Sequence, residues 1–162
     1  LARAAMVAFL AGAVLSHQGT AWLVFAVASV AFALDGVDGW LARRSGLTSR
    51  FGARFDMETD AGLGAVVALW LLVSGTTGPE ILILGFMRYG FVAASMIWPA
   101  LQAPLPEAFR RKAICVIQVA TLVMLVCPLT PAALVLPVGV LAALLLSRSY
   151  LIDILSLIRR PA

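Results

Sequence analysis

Six apolar runs separated by short polar breaks fill nearly the whole chain, and no other feature restricts the fold as much. They cover residues 4–15, 21–34, 62–73, 81–98, 113–126 and 132–157, and the second continues into a charged stretch that ends at Arg44. The breaks hold Ser16 to Thr20, Ser74 to Pro79 and Cys127 to Pro131. Hydrophobic residues make up 62% of the chain and charged residues 12%, with a mean hydropathy of +1.02. Soluble domains carry about 25% charged residues, so a water-facing surface cannot be built from this composition. In lipid every backbone polar group must be paired internally, which leaves helices or closed barrels. These runs do not alternate as barrel strands do, so an all-α membrane protein is expected. A span needs roughly 20 apolar residues. The 162 residues therefore allow six transmembrane helices and a single domain over 1–162, without an internal repeat or linker.

The basic residues give the orientation. With the N-terminus cytoplasmic, the cytoplasmic segments hold Arg3, Arg43, Arg44, Arg50, Arg54, Arg110, Arg111, Lys112, Arg159 and Arg160, whereas the three opposite loops hold no Lys or Arg. That is the positive-inside pattern. It assigns the net charge of +4 to membrane orientation and excludes nucleic acid as the expected partner. Arg148 is placed to snorkel, but Arg88 falls near the middle of the fourth run. Cys115 and Cys127 share one apolar run and match no metal or disulfide spacing. The chain begins at Leu1 rather than Met, so the natural N-terminus is expected to lie upstream. Residues 1–15 are expected to be a first span and not a signal peptide. Trp22, Trp98 and Tyr150 stand near span ends as interface anchors, and His17 in the outer loop receives no role.

Five of the eight acidic residues lie between positions 35 and 60: Asp35, Asp38, Asp56, Glu58 and Asp60. Asp35 and Asp38 are three apart at the end of the second run, and Asp56 and Asp60 are four apart at the start of the third. Each spacing puts a pair on one helix face. A loop over 44–55 would bring the two helix ends side by side and converge four carboxylates at a membrane edge. Such a cluster would take up protons unless a cation held it. Hard divalent ions favour oxygen donors, and the lack of nearby His or Cys argues against zinc. A pair of divalent ions, Mg²⁺ or Mn²⁺, is the expected occupant, as in sites that clamp the oxygens of a phosphoryl transfer. Gly36, Gly39 and Gly52 weaken a helix but allow a ligand close to the backbone. Ala42 is small and shares a face with Asp35 and Asp38. Arg43 offers a planar fork for a phosphate or carbonyl oxygen. Glu58 is angled away from the aspartate face.

Residues 35–60 read DGVDGWLARRSGLTSRFGARFDMETD, which resembles the signature of the CDP-alcohol phosphatidyltransferase family, D-x2-D-G-x2-A-R-x8-G-x3-D-x3-D. All eight fixed positions match: Asp35, Asp38, Gly39, Ala42, Arg43, Gly52, Asp56 and Asp60. The segment LARAAM is also similar to the N-terminal part of many members, although the asparagine-containing stretch that commonly precedes it is absent. The resemblance implies six helices around a polar cavity open to the cytoplasmic side of a bacterial inner membrane, and an enzyme that moves a phosphatidyl group from CDP-diacylglycerol to an alcohol and releases CMP. It implies that Asp35, Asp38 and Asp56 are metal ligands. Asp60 would be a further ligand and the base for the acceptor hydroxyl. Gly39, Ala42, Arg43 and Gly52 map to the nucleotide and pyrophosphate cradle. The stretch DGWLAR resembles the DGYLAR form of glycerophosphate-using members, which makes glycerol 3-phosphate the first acceptor to test. Inositol phosphate, serine and other alcohols remain open. The resemblance leaves room for a homodimer.

Other residues carry weaker signals. Arg88 in mid-span is costly unless it faces an anion or a partner carboxylate, so it is a candidate for an acceptor phosphate or for structural pairing. Arg110, Arg111 and Lys112 are candidates for acceptor phosphate or anionic lipid, alongside simple anchoring. Gln118 is expected to hydrogen-bond between helices. Two rival functions share these carboxylates. A divalent-cation transporter needs sites near the midplane, whereas these lie at one edge. A catalytically silent lipid-binding scaffold is disfavoured because no signature position is lost.

Overall fold

The computed structural model describes residues 2–16, 19–45, 50–98, 101 and 109–158; within its helices the side chains of 39–43, 45, 50, 51, 53 and 109–112 are not described. The described residues form six helices and no strand: α1 (Ala2–Leu15), α2 (Ala21–Ser45), α3 (Arg50–Val73), α4 (Ile81–Ile97), α5 (Phe109–Val126) and α6 (Ala132–Ile158). The helix ends follow the polar breaks. After α3, Gly75 takes a left-handed conformation with φ 71°. The Thr76 amide then donates to the Leu71 carbonyl and the Gly75 amide to that of Leu72, both at 3.1 Å. This paired closure satisfies carbonyls that a helix end leaves open. Past α5, the Thr130 hydroxyl donates to the Met124 carbonyl at 2.6 Å.

One boundary departs from the expectation. The 44–55 stretch is not all loop, because α3 already begins at Arg50. Residues 50–61 contain no proline, and their charges hide helical continuity from a reading based on hydropathy. Asp56 is therefore held by a helix well before the apolar run starts.

Helix α3 is central, packing against α1, α4 and α5 and also touching α2; α6 closes the far side against α4 and α5. Leu63, Val67 and Leu71 of α3 are almost wholly buried, as are Leu84 of α4 and Leu122 of α5. The α3–α4 approach is close. A Cβ placed on Gly85 would stand 2.6 Å from the Ala68 Cβ and 3.2 Å from the Gly64 carbonyl oxygen. Small residues let membrane helices meet at backbone distance. Gln118 adds the expected interhelical bond by donating its side-chain amide to the Leu84 carbonyl. At the opposite end the Trp70 indole N–H donates to the Gly19 carbonyl at 3.1 Å.

The outward faces are apolar: Met96 is 75% exposed, Leu144 64% and Phe9 56%. By length and hydropathy, α2 over Ala21–Asp38 and α6 can cross a bilayer, while the apolar parts of α1, α4 and α5 are shorter. Helix α3 has 24 residues, but charge fills its first half.

The hollows bounded by the described residues include two. One, of about 340 Å³, lies at the end away from the aspartates, beside Trp70, Thr76 and Thr130. The other is an apolar furrow of about 530 Å³ between α1 and α2, lined by Met6, Phe9 and Val27 among others. Neither is the polar cavity expected at the charged end. Of the residues expected to line it, Gly39, Ala42, Arg43, Arg110, Arg111 and Lys112 have side chains outside those described.

Candidate active site

The antiparallel run of the first three helices brings the start of α1, the end of α2 and the start of α3 to one end of the bundle. Asp35 comes from α2, and Asp56 and Asp60 come one turn apart from α3. All three meet a cation from α1, Arg3. Its Nη1 lies 3.0 Å from Asp35 Oδ1 and 2.5 Å from Asp56 Oδ1. Its Nη2 pairs with Asp60 Oδ1. Its Nε donates to the Ala31 carbonyl at 3.2 Å. Arg3 is 5% exposed, whereas the three carboxylates stay partly open. One guanidinium therefore bridges two helices and turns a set of repelling carboxylates into a joined cluster.

Asp38 lies one turn further along α2 and is exposed, outside the set that Arg3 contacts among the described residues. Of the cradle positions, Gly52 lies exposed in the first turn of α3. Gly39, Ala42 and Arg43 belong to the last part of α2, and Arg110, Arg111 and Lys112 to the first turn of α5; these six have side chains outside the described ones.

Arg88 has a partner from the neighbouring helix. Its Nη2 lies 2.5 Å from Glu58 Oε1 of α3, and its Nη1 is 3.7 Å from the Met57 sulfur. Its buried Nε has no hydrogen-bond partner among the described residues. The pair is half open to solvent, with the Arg88 side chain 29% exposed and that of Glu58 57%. The angle that turns Glu58 away from the aspartates thus turns it toward α4.

In the sequence Arg3 stands out only as an orientation signal. Its site role has a legible trace, a lone cation in an apolar helix, because such a residue needs an anionic neighbour. Nothing local marks which carboxylates it meets, since they lie up to 57 residues away.

The donor set suits a hard divalent ion, being carboxylate oxygens without His or Cys. The place where Arg3 sits shows that three of these carboxylates reach toward one cationic group. As arranged around Arg3, no three acidic side chains among the described residues are gathered tightly enough to enclose an ion. The chemistry of the site fits a metal; its present geometry serves the arginine.

Comparison with known proteins agrees with the residues. No curated protein and no solved structure matches the chain. The model of one family, described as CDP-alcohol phosphatidyltransferase, matches residues 1–149, an interval that contains all six helices up to the last turns of α6 and every residue of the aspartate cluster. The chain belongs to the CDP-alcohol phosphatidyltransferase family, whose members are integral membrane enzymes that transfer substituted phosphate groups and generally depend on divalent metal.

Proposed function

We propose that this enzyme transfers a phosphatidyl group from CDP-diacylglycerol to a small alcohol, with glycerol 3-phosphate as the first acceptor, and releases CMP. The observation that carries the reading is the convergence of Asp35, Asp56 and Asp60, three aspartates of one signature, from two helices onto a single cationic group. Asp35, Asp38, Asp56 and Asp60 would hold two Mg²⁺ or Mn²⁺ ions. Bound ions would neutralise the pyrophosphate and stabilise the leaving phosphate.

The chain's own residues supply the rest. Gly39, Ala42, Arg43 and Gly52 receive the nucleotide and pyrophosphate. Asp60 accepts the proton of the acceptor hydroxyl. The acceptor oxygen bonds to the phosphatidyl phosphorus, the pyrophosphate P–O bond breaks, and CMP leaves with the bridging oxygen. Arg88 has an unsatisfied Nε beside its Glu58 pair, which supports a place for an anionic acceptor. The basic cluster Arg110, Arg111 and Lys112 supports the same end of the bundle.

The absence of Lys and Arg from the opposite loops supports six spans with the site facing the cytoplasm of a bacterial inner membrane. The shorter helices α1, α4 and α5 would be accommodated by their flanking polar residues and by local thinning.

The test is to incubate purified protein with CDP-diacylglycerol and a panel of acceptors, measure CMP and identify the lipid product. CMP release that depends on glycerol 3-phosphate and stops in excess EDTA is the expected result. Undiminished release in EDTA would remove the metal from the scheme, and transfer to serine or inositol phosphate alone would replace the acceptor.

A further inference from the structure

We propose that Arg3 is an exchangeable internal counter-ion, which holds Asp35, Asp56 and Asp60 while no metal is bound and is displaced when a divalent ion takes those carboxylates. The proposal rests on the reading of these aspartates as metal ligands.

Three observations support it. Arg3 is 5% exposed, so its charge is neutralised inside the bundle rather than by solvent. It contacts all three carboxylates through their Oδ1 atoms.

The third observation is geometric. A guanidinium presents its donors at separate nitrogens in a plane. Here Nη1 takes Asp35 and Asp56, and Nη2 takes Asp60. A metal ion needs its ligands around one centre, within about 2.0–2.6 Å for Mg²⁺ or Ca²⁺. Among the described residues no group of three acidic side chains is placed to hold an ion. For the three to surround an ion, Asp60 must leave Nη2 and the group must close on a new centre. Both arrangements draw on the same three carboxylates, and a fixed cation beside them also repels the incoming one. Exchange resolves both conflicts. In the metal-free protein Arg3 removes the repulsion that would scatter or protonate the carboxylates. In the loaded protein the ion does so, and Arg3 turns to other anions. Arg3 is thus a positioning residue for the metal-free state.

The experiment measures Mn²⁺ binding to purified protein in detergent by electron paramagnetic resonance, with a melting curve in EDTA for each variant. Arg3→Gln keeps the length and polarity but loses the charge. It should bind Mn²⁺ roughly tenfold more tightly than wild type, because a positive charge close to the ion is removed. Its melting temperature in EDTA should fall, and Mn²⁺ should raise it more than it raises that of wild type. A purely structural arginine would lower the melting temperature without tightening Mn²⁺ binding. Unchanged or weaker Mn²⁺ affinity in a folded Arg3→Gln protein would overturn the exchange. If that variant does not fold, Arg3→Lys decides. Its ammonium cannot bridge three carboxylates at once, so its Mn²⁺ affinity should exceed that of wild type by a smaller factor, and an equal or weaker affinity overturns the proposal. No Mn²⁺ binding to wild type or to either variant would refute the metal-site reading itself, and the exchange with it.

Discussion

At the scale of single residues, two charge networks lie near each other on α3 and serve different ends. Asp56 and Asp60 face α1, and Glu58 between them faces α4. This separation makes distinct predictions possible. Asp60→Asn retains the shape of the side chain but not a carboxylate able to accept the acceptor proton. Loss of a general base costs roughly 10²–10⁴-fold, so CMP release should fall by that factor while CDP-lipid binding and the fold persist. Near wild-type turnover would take Asp60 out of the role of base. Arg88 separates from its partner in a second test. Arg88→Ala should raise the acceptor KM by roughly ten- to a hundredfold, the loss expected for hydrogen bonds to a charged group at about 1.5–3 kcal/mol. Glu58→Gln leaves the cation in place, so it should leave the acceptor KM near wild type or lower it. If both variants instead melt earlier to the same degree and keep wild-type KM, the Arg88–Glu58 pair is structural.

At the scale of elements, the tight contact between α3 and α4 also aligns Glu58 with Arg88. Gly85 on α4 faces Ala68 on α3 with no room for a methyl group. Gly85→Ala should force the helices apart and destabilise the fold by about 1–3 kcal/mol, the usual cost of overpacking. A thermal melt in detergent checks this, and adding Ala68→Gly should restore part of the loss. An unchanged melting temperature would show that α4 shifts freely against α3. The helices themselves are largely legible in the amino-acid sequence. Residues 21, 73, 81, 126 and 132 bound their helices where polar or proline-rich breaks begin or end. The start of α3 at Arg50 is not legible in this way, because a helix whose first turns are charged looks like a loop on a hydropathy scale. The aspartate spacing can be read because helix periodicity is local. The partners of Arg3, Arg88 and Gln118 cannot, since each lies 28 to 57 residues away and packing decides which one is met.

At the scale of the whole molecule, an apolar exterior surrounds an end rich in charge and an opposite end without Lys or Arg among the described residues. Large side chains such as Met96 and Leu144 face outward while Arg3 and Asp153 are buried, which inverts the surface of a soluble protein. The proposed topology assigns the two ends to opposite sides of a membrane. Single cysteines introduced at Ser49 and at Thr76, after removal of Cys115 and Cys127, should react with a membrane-impermeant thiol reagent from opposite sides in sealed vesicles. Labelling of both from the same side would refute the six-span arrangement and the cytoplasmic site together.

The buried arginine also has a consequence in time. A ribosome makes Arg3 long before its partners: Asp56 follows 53 residues later and Asp60 follows 57 residues later. At 5–20 residues per second that interval is roughly 3–11 s. For those seconds the first helix carries a positive charge with no carboxylate from α3 to meet it. The cluster around Arg3 is therefore complete only once α3 has been made, and the order of synthesis sets when the site can form.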